Sequence, residues 1–185
     1  MTLPRGFRAE AERKSVSFRK ELGLKPNDSM DIESLAKKLN VKIINAENLV
    51  SRDKLEELER IQSFSFSAAT FEVEGRHFIV TNPLRSSGRL SSDIAHELSH
   101  IVLNHELNEV RELEGVAFRT CRPDEEEQAN ALGATLLLPR PVLTSAAYKG
   151  LSPEEIAKEH NVTIEMAKYR FNSSGVAKQV KRQSK

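Results

Sequence analysis

Residues 93–105 read DIAHELSHIVLNH, and this stretch constrains the fold more than any other. Ile94, Ala95, Leu98, Ile101 and Val102 recur at three- and four-residue intervals, the stripe of a helix with one face in a core. Residues four apart lie one turn above each other, so His96 and His100 can aim two imidazole nitrogens at one point. Glu97 is turned about 100° from His96 around the axis, so it is poorly placed to join them as a ligand but can reach a water held beside them. The fold must therefore bury one face of this helix.

Two histidines and an adjacent glutamate in this spacing form HExxH, in which the histidines bind zinc and the glutamate is a general base. Zinc makes water acidic enough to attack near neutral pH. His96 and His100 are the candidate metal ligands and Glu97 the candidate catalytic base. A catalytic zinc needs a third protein ligand and an open position. The extended pattern HExxHxxGxxH would need glycine at 103 and histidine at 106, where the chain has Leu103 and Glu106. His105 misses by one residue and is expected at the surface or behind the ligands.

The other source of a third ligand is a second helix. The run DEEEQANALGATLLLP (124–139) is acidic in its first turn, as a helix dipole prefers, and ends at Pro139. Glu126 shares a face with Asn130, Gly133 and Leu137, and Gly133 would let that face approach another helix closely. Glu125, above Ala129 and Leu132, is the runner-up, and Glu127 runs toward Ala131 and Ala134.

Around these helices the pattern alternates between classes. Helices are expected over 6–22, over IESLAKKLN after an Asp31 cap, and over 52–61. VKIIN (41–45) reads as a strand, and 63–73 and 76–82 as a hairpin turning at Glu74-Gly75. Leu84–Arg89 reads as a loop broken by Gly88, with helix from about Leu90. Residues 106–123 carry no clear pattern. Two short helices fill 152–171, the first started by Ser152, Pro153 and Glu155, the second capped by Thr163.

His96-Glu97-Leu98-Ser99-His100, then Glu126-Glu127-Gln128-Ala129-Asn130, then Leu136-Leu137-Leu138-Pro139 resemble the ImmA/IrrE family of zinc metallopeptidases. That family is read as HELGH followed by E-x-E-A-N-x-F-A-A-x-L-L-M-P. Counting back from Pro139, Glu126 falls on the family's metal-binding glutamate. Ser99, Gln128, Leu132-Gly133 and Leu138 depart from the pattern without removing a proposed ligand or the base. The resemblance spans roughly 30–172 and is tight over 93–139.

It implies an α+β fold, a minimal zincin of gluzincin type: a short twisted sheet on the HExxH helix, with a helix-turn-helix-like bundle at the C-terminus. The expected organisation is an N-terminal helical segment (1–29), a metallopeptidase core (30–150), a helix-turn-helix-like subdomain (151–173) and a basic flexible tail (174–185). It further implies one zinc ion and a cytoplasmic endopeptidase that cuts a helix-turn-helix repressor, releasing stress, prophage or phage-defence genes. An edge strand, either 63–71 or 76–82, would hold the substrate.

The net charge is +1, so bulk charge indicates neither nucleic acid nor membrane. The charge is uneven, with basic residues toward both ends, and single-stranded DNA arising with damage is a candidate activator. No segment approaches a membrane span, the N-terminal stretch lacks the apolar run of a signal peptide, and the lone Cys121 permits no internal disulfide, so a cytoplasmic location is expected. Cys121, five residues before Glu126, is a candidate inhibitory ligand whose thiolate would fill the open zinc position. Tyr148, His160, Tyr169 and Arg170 are candidates for stabilising the oxyanion. The alternative function is a DNA-binding regulator that uses 152–172, with a structural or inactive zinc site.

Overall fold

The computed structural model describes residues 3–63, 66–105, 110–113, 116–119, 122–176 and 179–180, with the backbone alone for 110–113 and 116–119. Cys121 lies outside the described residues. The architecture is α+β and mostly helical, in the order α1 (Phe7–Glu21), α2 (Ile32–Lys38), β1 (Lys42–Asn45), α3 (Arg52–Ile61), β2 (Ala68–Val73), β3 (Arg76–Thr81), α4 (Ser87–Val102), β4 (Val110–Leu113), β5 (Val116–Arg119), α5 (Pro123–Leu137), α6 (Arg140–Lys149), α7 (Pro153–Glu159) and α8 (Ile164–Ser174).

The main sheet has three strands in the order β1-β3-β2, with β1 parallel and β2 antiparallel to the central β3. The hairpin turns at Glu74 and Gly75, which both take positive φ (51° and 71°), as tight two-residue hairpin turns require. Thr70 pairs with Ile79 across the hairpin, and Ile79 is fully buried. Between α4 and α5, β4 and β5 form a separate antiparallel pair.

Local chemistry sets the helix starts. Asp31 accepts from the amides of Glu33 and Ser34. Ser152 and Glu155 exchange side chain-to-backbone bonds in the expected capping box. Thr163 accepts from the Met166 amide. α4 begins at Ser87, three residues ahead of the position expected from Gly88. Gly88 is a contact, not a break: a Cβ there would lie 2.8 Å from the Val162 carbonyl oxygen. α6 was not expected; Pro141 sits in its first turn, where a missing amide hydrogen costs nothing.

α4 and α5 pack along their lengths at the centre of the core, burying Ile94, Ala95 and Leu98 against Leu132, Leu136 and Leu137. Gly133 faces α4, where a Cβ would sit 3.0 Å from the Ala95 carbonyl and the His96 nitrogen. The absence of a side chain at Gly133 thus sets how closely the two helices approach. Ser99, fully buried on the same turn, turns its hydroxyl back onto the Ala95 carbonyl at 2.7 Å.

The C-terminal carbonyls of α5 are satisfied from two other helices. Arg19 of α1, fully buried, donates to the carbonyls of Leu136 (2.7 Å) and Leu137 (3.1 Å). Arg170 of α8 donates to the Leu138 carbonyl at 3.0 Å and to Glu12 at 2.7 Å. Two cations at the negative end of α5 match its dipole and replace the water those carbonyls lose. Burial pulls the Arg19 guanidinium down to about 10, partly offset by Glu12 and Asp28, so it remains charged at neutral pH.

The segment from 174, expected as a flexible tail, is packed where it is described. Val176 is fully buried and Val180 rests on the core. Arg140 anchors it by donating to the Ser174 carbonyl and to Gln179.

Candidate metal centre

α4 presents His96 and His100 one turn apart, and the close α4–α5 contact at Gly133 brings the first turn of α5 alongside. His100 Nε2 lies 3.1 Å from His96 Nε2. Glu126 completes a triangle, with Oε2 3.3 Å from His96 Nε2 and Oε1 3.4 Å from His100 Nε2. Among the described residues these three are the group of His, Cys, Asp or Glu side chains whose ligand atoms converge tightly enough to hold a metal ion.

The dimensions test the fit. Ligands about 2.0–2.1 Å from a tetrahedral centre are separated by about 1.63 times that distance, or roughly 3.3 Å. The His96–His100 separation is of that order, and each imidazole has its own Glu126 oxygen at a similar distance, Oε2 for His96 and Oε1 for His100, so the two imidazoles and the carboxylate converge closely enough to hold a metal ion. His100 is buried, while His96 and Glu126 are partly exposed, so one side of the cluster opens to solvent. The preceding glutamate is used otherwise. Glu125 is buried and accepts from both the amide and the guanidinium of Arg122, at the start of α5.

Glu97 lies beside the cluster, and Thr70 Oγ1 from β2 donates to its Oε2. The sequence offered no signal for this contact, since Thr70 reads as an ordinary strand threonine. One turn earlier on α4, Asp93 accepts from Ser67 and, at 2.7 Å, from Arg89. A cleft of about 390 Å³ runs past His96 and Glu97. Its walls come from Ser67 and Ala68 at the start of β2, from Asn130 and Gly133 of α5, and from Thr163 and Met166 at the start of α8.

His105 does not converge with the triangle. Its Nδ1 lies 2.9 Å from His100 Nδ1, on the far side of that ring. The four oxyanion candidates do not line the cleft. Tyr148 and Tyr169 are largely exposed elsewhere, and the Arg170 guanidinium is engaged by Leu138 and Glu12. His160 is buried at the end of α7, within the electrostatic reach of Arg19, Glu159 and Lys149, and is held below the usual histidine range chiefly by burial.

An α+β fold with a His-His-Glu cluster that could hold a metal ion, and a glutamate next to it, places the chain among proteins built like metallopeptidases. Residues 36–172 match the M78 peptidase model described as the IrrE N-terminal-like domain, and the chain belongs to that family. The resemblance to ImmA/IrrE proteins read from HELSH and Glu126 through Pro139 points to the same family. Among solved structures, a Mycobacterium tuberculosis transcriptional regulator has a similar fold, with TM-score 0.53 and 14% identity over 91% of this chain and 47% of that one. The chain thus spans about half the length of that regulator. No curated protein matches the sequence. No helix among the described residues is long and apolar enough to cross a membrane.

Proposed function

We propose that the chain is a zinc endopeptidase of the zincin type, acting in the cytoplasm on a helix-turn-helix repressor. The observation that carries this reading is the convergence of His96, His100 and Glu126, close enough to hold a metal ion, beside Glu97. In this reading the three side chains hold one zinc ion. Bound there, zinc would polarise the scissile carbonyl and lower the pKa of water.

Glu97 supplies the proton transfers. It takes a proton from the water as the oxygen–carbon bond forms, and returns it to the amine as the carbon–nitrogen bond breaks. The Thr70 hydroxyl donates to one oxygen of that carboxylate and so helps to orient the base. β3 is the central strand, so 76–82 offers no edge, and the substrate strand is assigned to β2, whose start forms a wall of the cleft.

The α7–α8 pair is better suited to supporting this cleft than to reading DNA. Asn161, at the turn between them, bonds to Ser87 and Ser91 of α4, and the Thr163 amide donates to Ser92. The start of α8, the end a recognition helix would insert into a groove, is therefore docked on the protein. Lys168, on its outer face, pairs with Glu154. Single-stranded DNA on the basic ends is the proposed activator, tested by salt-dependent binding and by stimulation of cleavage.

The test mixes the protein with candidate helix-turn-helix repressors, those encoded by neighbouring genes first. Cleavage should require metal, stop with a chelator and be abolished in Glu97→Gln. Cleavage that survives Glu97→Gln would overturn the assigned mechanism.

A further inference from the structure

α4 ends in a way that returns the chain over its own last turn. Asn104 takes a left-handed conformation, φ 51°, after Leu103. The Asn104 amide donates to the Ile101 carbonyl at 3.1 Å and the His105 amide to the His100 carbonyl at 3.0 Å. This pair of bonds is the Schellman closure of a helix. In a continuing helix a residue five positions on would point away from His100. The reversal at Asn104 instead sets His105 against His100, with the two Nδ1 atoms 2.9 Å apart.

That contact restricts the protons. His100 Nε2 faces His96 and Glu126, and a histidine that binds a metal through Nε2 carries its proton on Nδ1. The Nδ1–H then donates toward His105, so His105 Nδ1 must accept and its own proton must sit on Nε2. A carboxylate, a carbonyl or a water usually occupies the acceptor position behind a ligating histidine.

We propose that His105 is a positioning residue for the metal site, the acceptor that fixes the ring orientation and tautomer of His100. The proposal rests on the reading of His96, His100 and Glu126 as a metal site. His105 does not ligate the ion, and its role is separable from the extended HExxH pattern that it misses by one residue. Asn104 is part of the same device, because a residue that resists the left-handed conformation would move His105 off His100.

The experiment titrates metal-free protein with zinc against a competing chelating indicator. It compares wild type with His105→Leu, which removes the acceptor, and His105→Asn, whose Oδ1 can stand where Nδ1 stood. Wild type should take up one equivalent, His105→Leu should bind about 10–100-fold more weakly, and His105→Asn should recover most of the loss. Nitrogen-15 NMR of zinc-loaded wild type should show His105 protonated on Nε2 and not on Nδ1. That readout needs no variant, so it decides the question even if His105→Leu fails to fold. Wild-type affinity in His105→Leu, equal weakening in both variants, or a proton on His105 Nδ1 would each overturn the proposal. Failure of wild type to take up zinc would overturn the metal-site reading itself, and the proposal with it.

Discussion

Gly133 of α5 lies directly against the backbone of Ala95 on α4, so that a Cβ would stand 3.0 Å from the Ala95 carbonyl. The next residue on α4 is His96, and Glu126 lies two turns back along α5, so this contact sets the spacing of the two halves of the cluster. Gly133→Val should destabilise the protein by about 1–3 kcal/mol, measured by denaturant unfolding, because the overpacked atoms are backbone and not a flexible side-chain end. Zinc affinity should fall with it. A fully stable Gly133→Val with unchanged affinity would show that the helices have room to separate.

Thr70 links the proposed substrate strand to the base. Thr70→Val removes a hydrogen bond to a carboxylate, an interaction of about 1.5–3 kcal/mol. The expected result is a kcat lowered about tenfold or more, with KM and zinc content unchanged, and with most of the rate regained in Thr70→Ser. A loss confined to KM would assign Thr70 to substrate binding instead.

Arg19 is expected to matter for stability and not for chemistry. Arg19→Met leaves the Leu137 carbonyl buried without its donor and the Leu136 carbonyl with only the 3.3 Å bond from Ser15 Oγ, at a cost of about 3 kcal/mol in unfolding free energy. The zinc stoichiometry of the folded fraction should stay that of wild type, because Glu126 is at the opposite end of α5.

His160 gives a stability term with a defined sign. Its pKa in the folded protein lies below the ordinary value of 6.5, through burial first, with Arg19 and Lys149 adding to it and Glu159 opposing. Nδ1 has no hydrogen-bond partner among the described residues. Below about pH 6.5 the unfolded chain takes up this proton more readily than the folded one, so stability falls with pH there and is fully present above it. Urea midpoints measured from pH 7.5 to 5.5 should drop less in His160→Leu than in wild type. Parallel slopes for the two proteins would remove His160 as the cause.

The parts of this structure that were legible in the sequence are those set by local rules. Asp31, Ser152 and Thr163 cap the helices they were expected to cap, and Glu74-Gly75 turns the hairpin. The phase of Gly133 on its helix selected Glu126 over Glu125 because a glycine in a helix contact has a geometric consequence, and the same contact is seen. Where tertiary demands override local ones, the reading failed. Gly88 looked like a breaker but makes room for Val162, and Pro139-Arg140-Pro141 hid a helix start. The four-residue strands β4 and β5 are too short to show a period. Thr70 on Glu97 could not be read in advance, since it needs the sheet docked on α4, while His105 could be placed only at the surface or behind the ligands, since the choice between them needs a left-handed asparagine.

The most direct measurement is metal reconstitution of cleavage. Wild type and Glu97→Gln are stripped with a chelator, supplied with zinc in steps and assayed against a helix-turn-helix repressor that the untreated wild type cleaves. One equivalent of zinc per chain should restore cleavage to wild type, while Glu97→Gln binds the same equivalent and stays inactive. Cleavage by the stripped protein, or by zinc-loaded Glu97→Gln, would contradict the assignment of His96, His100, Glu126 and Glu97 to a zinc peptidase site.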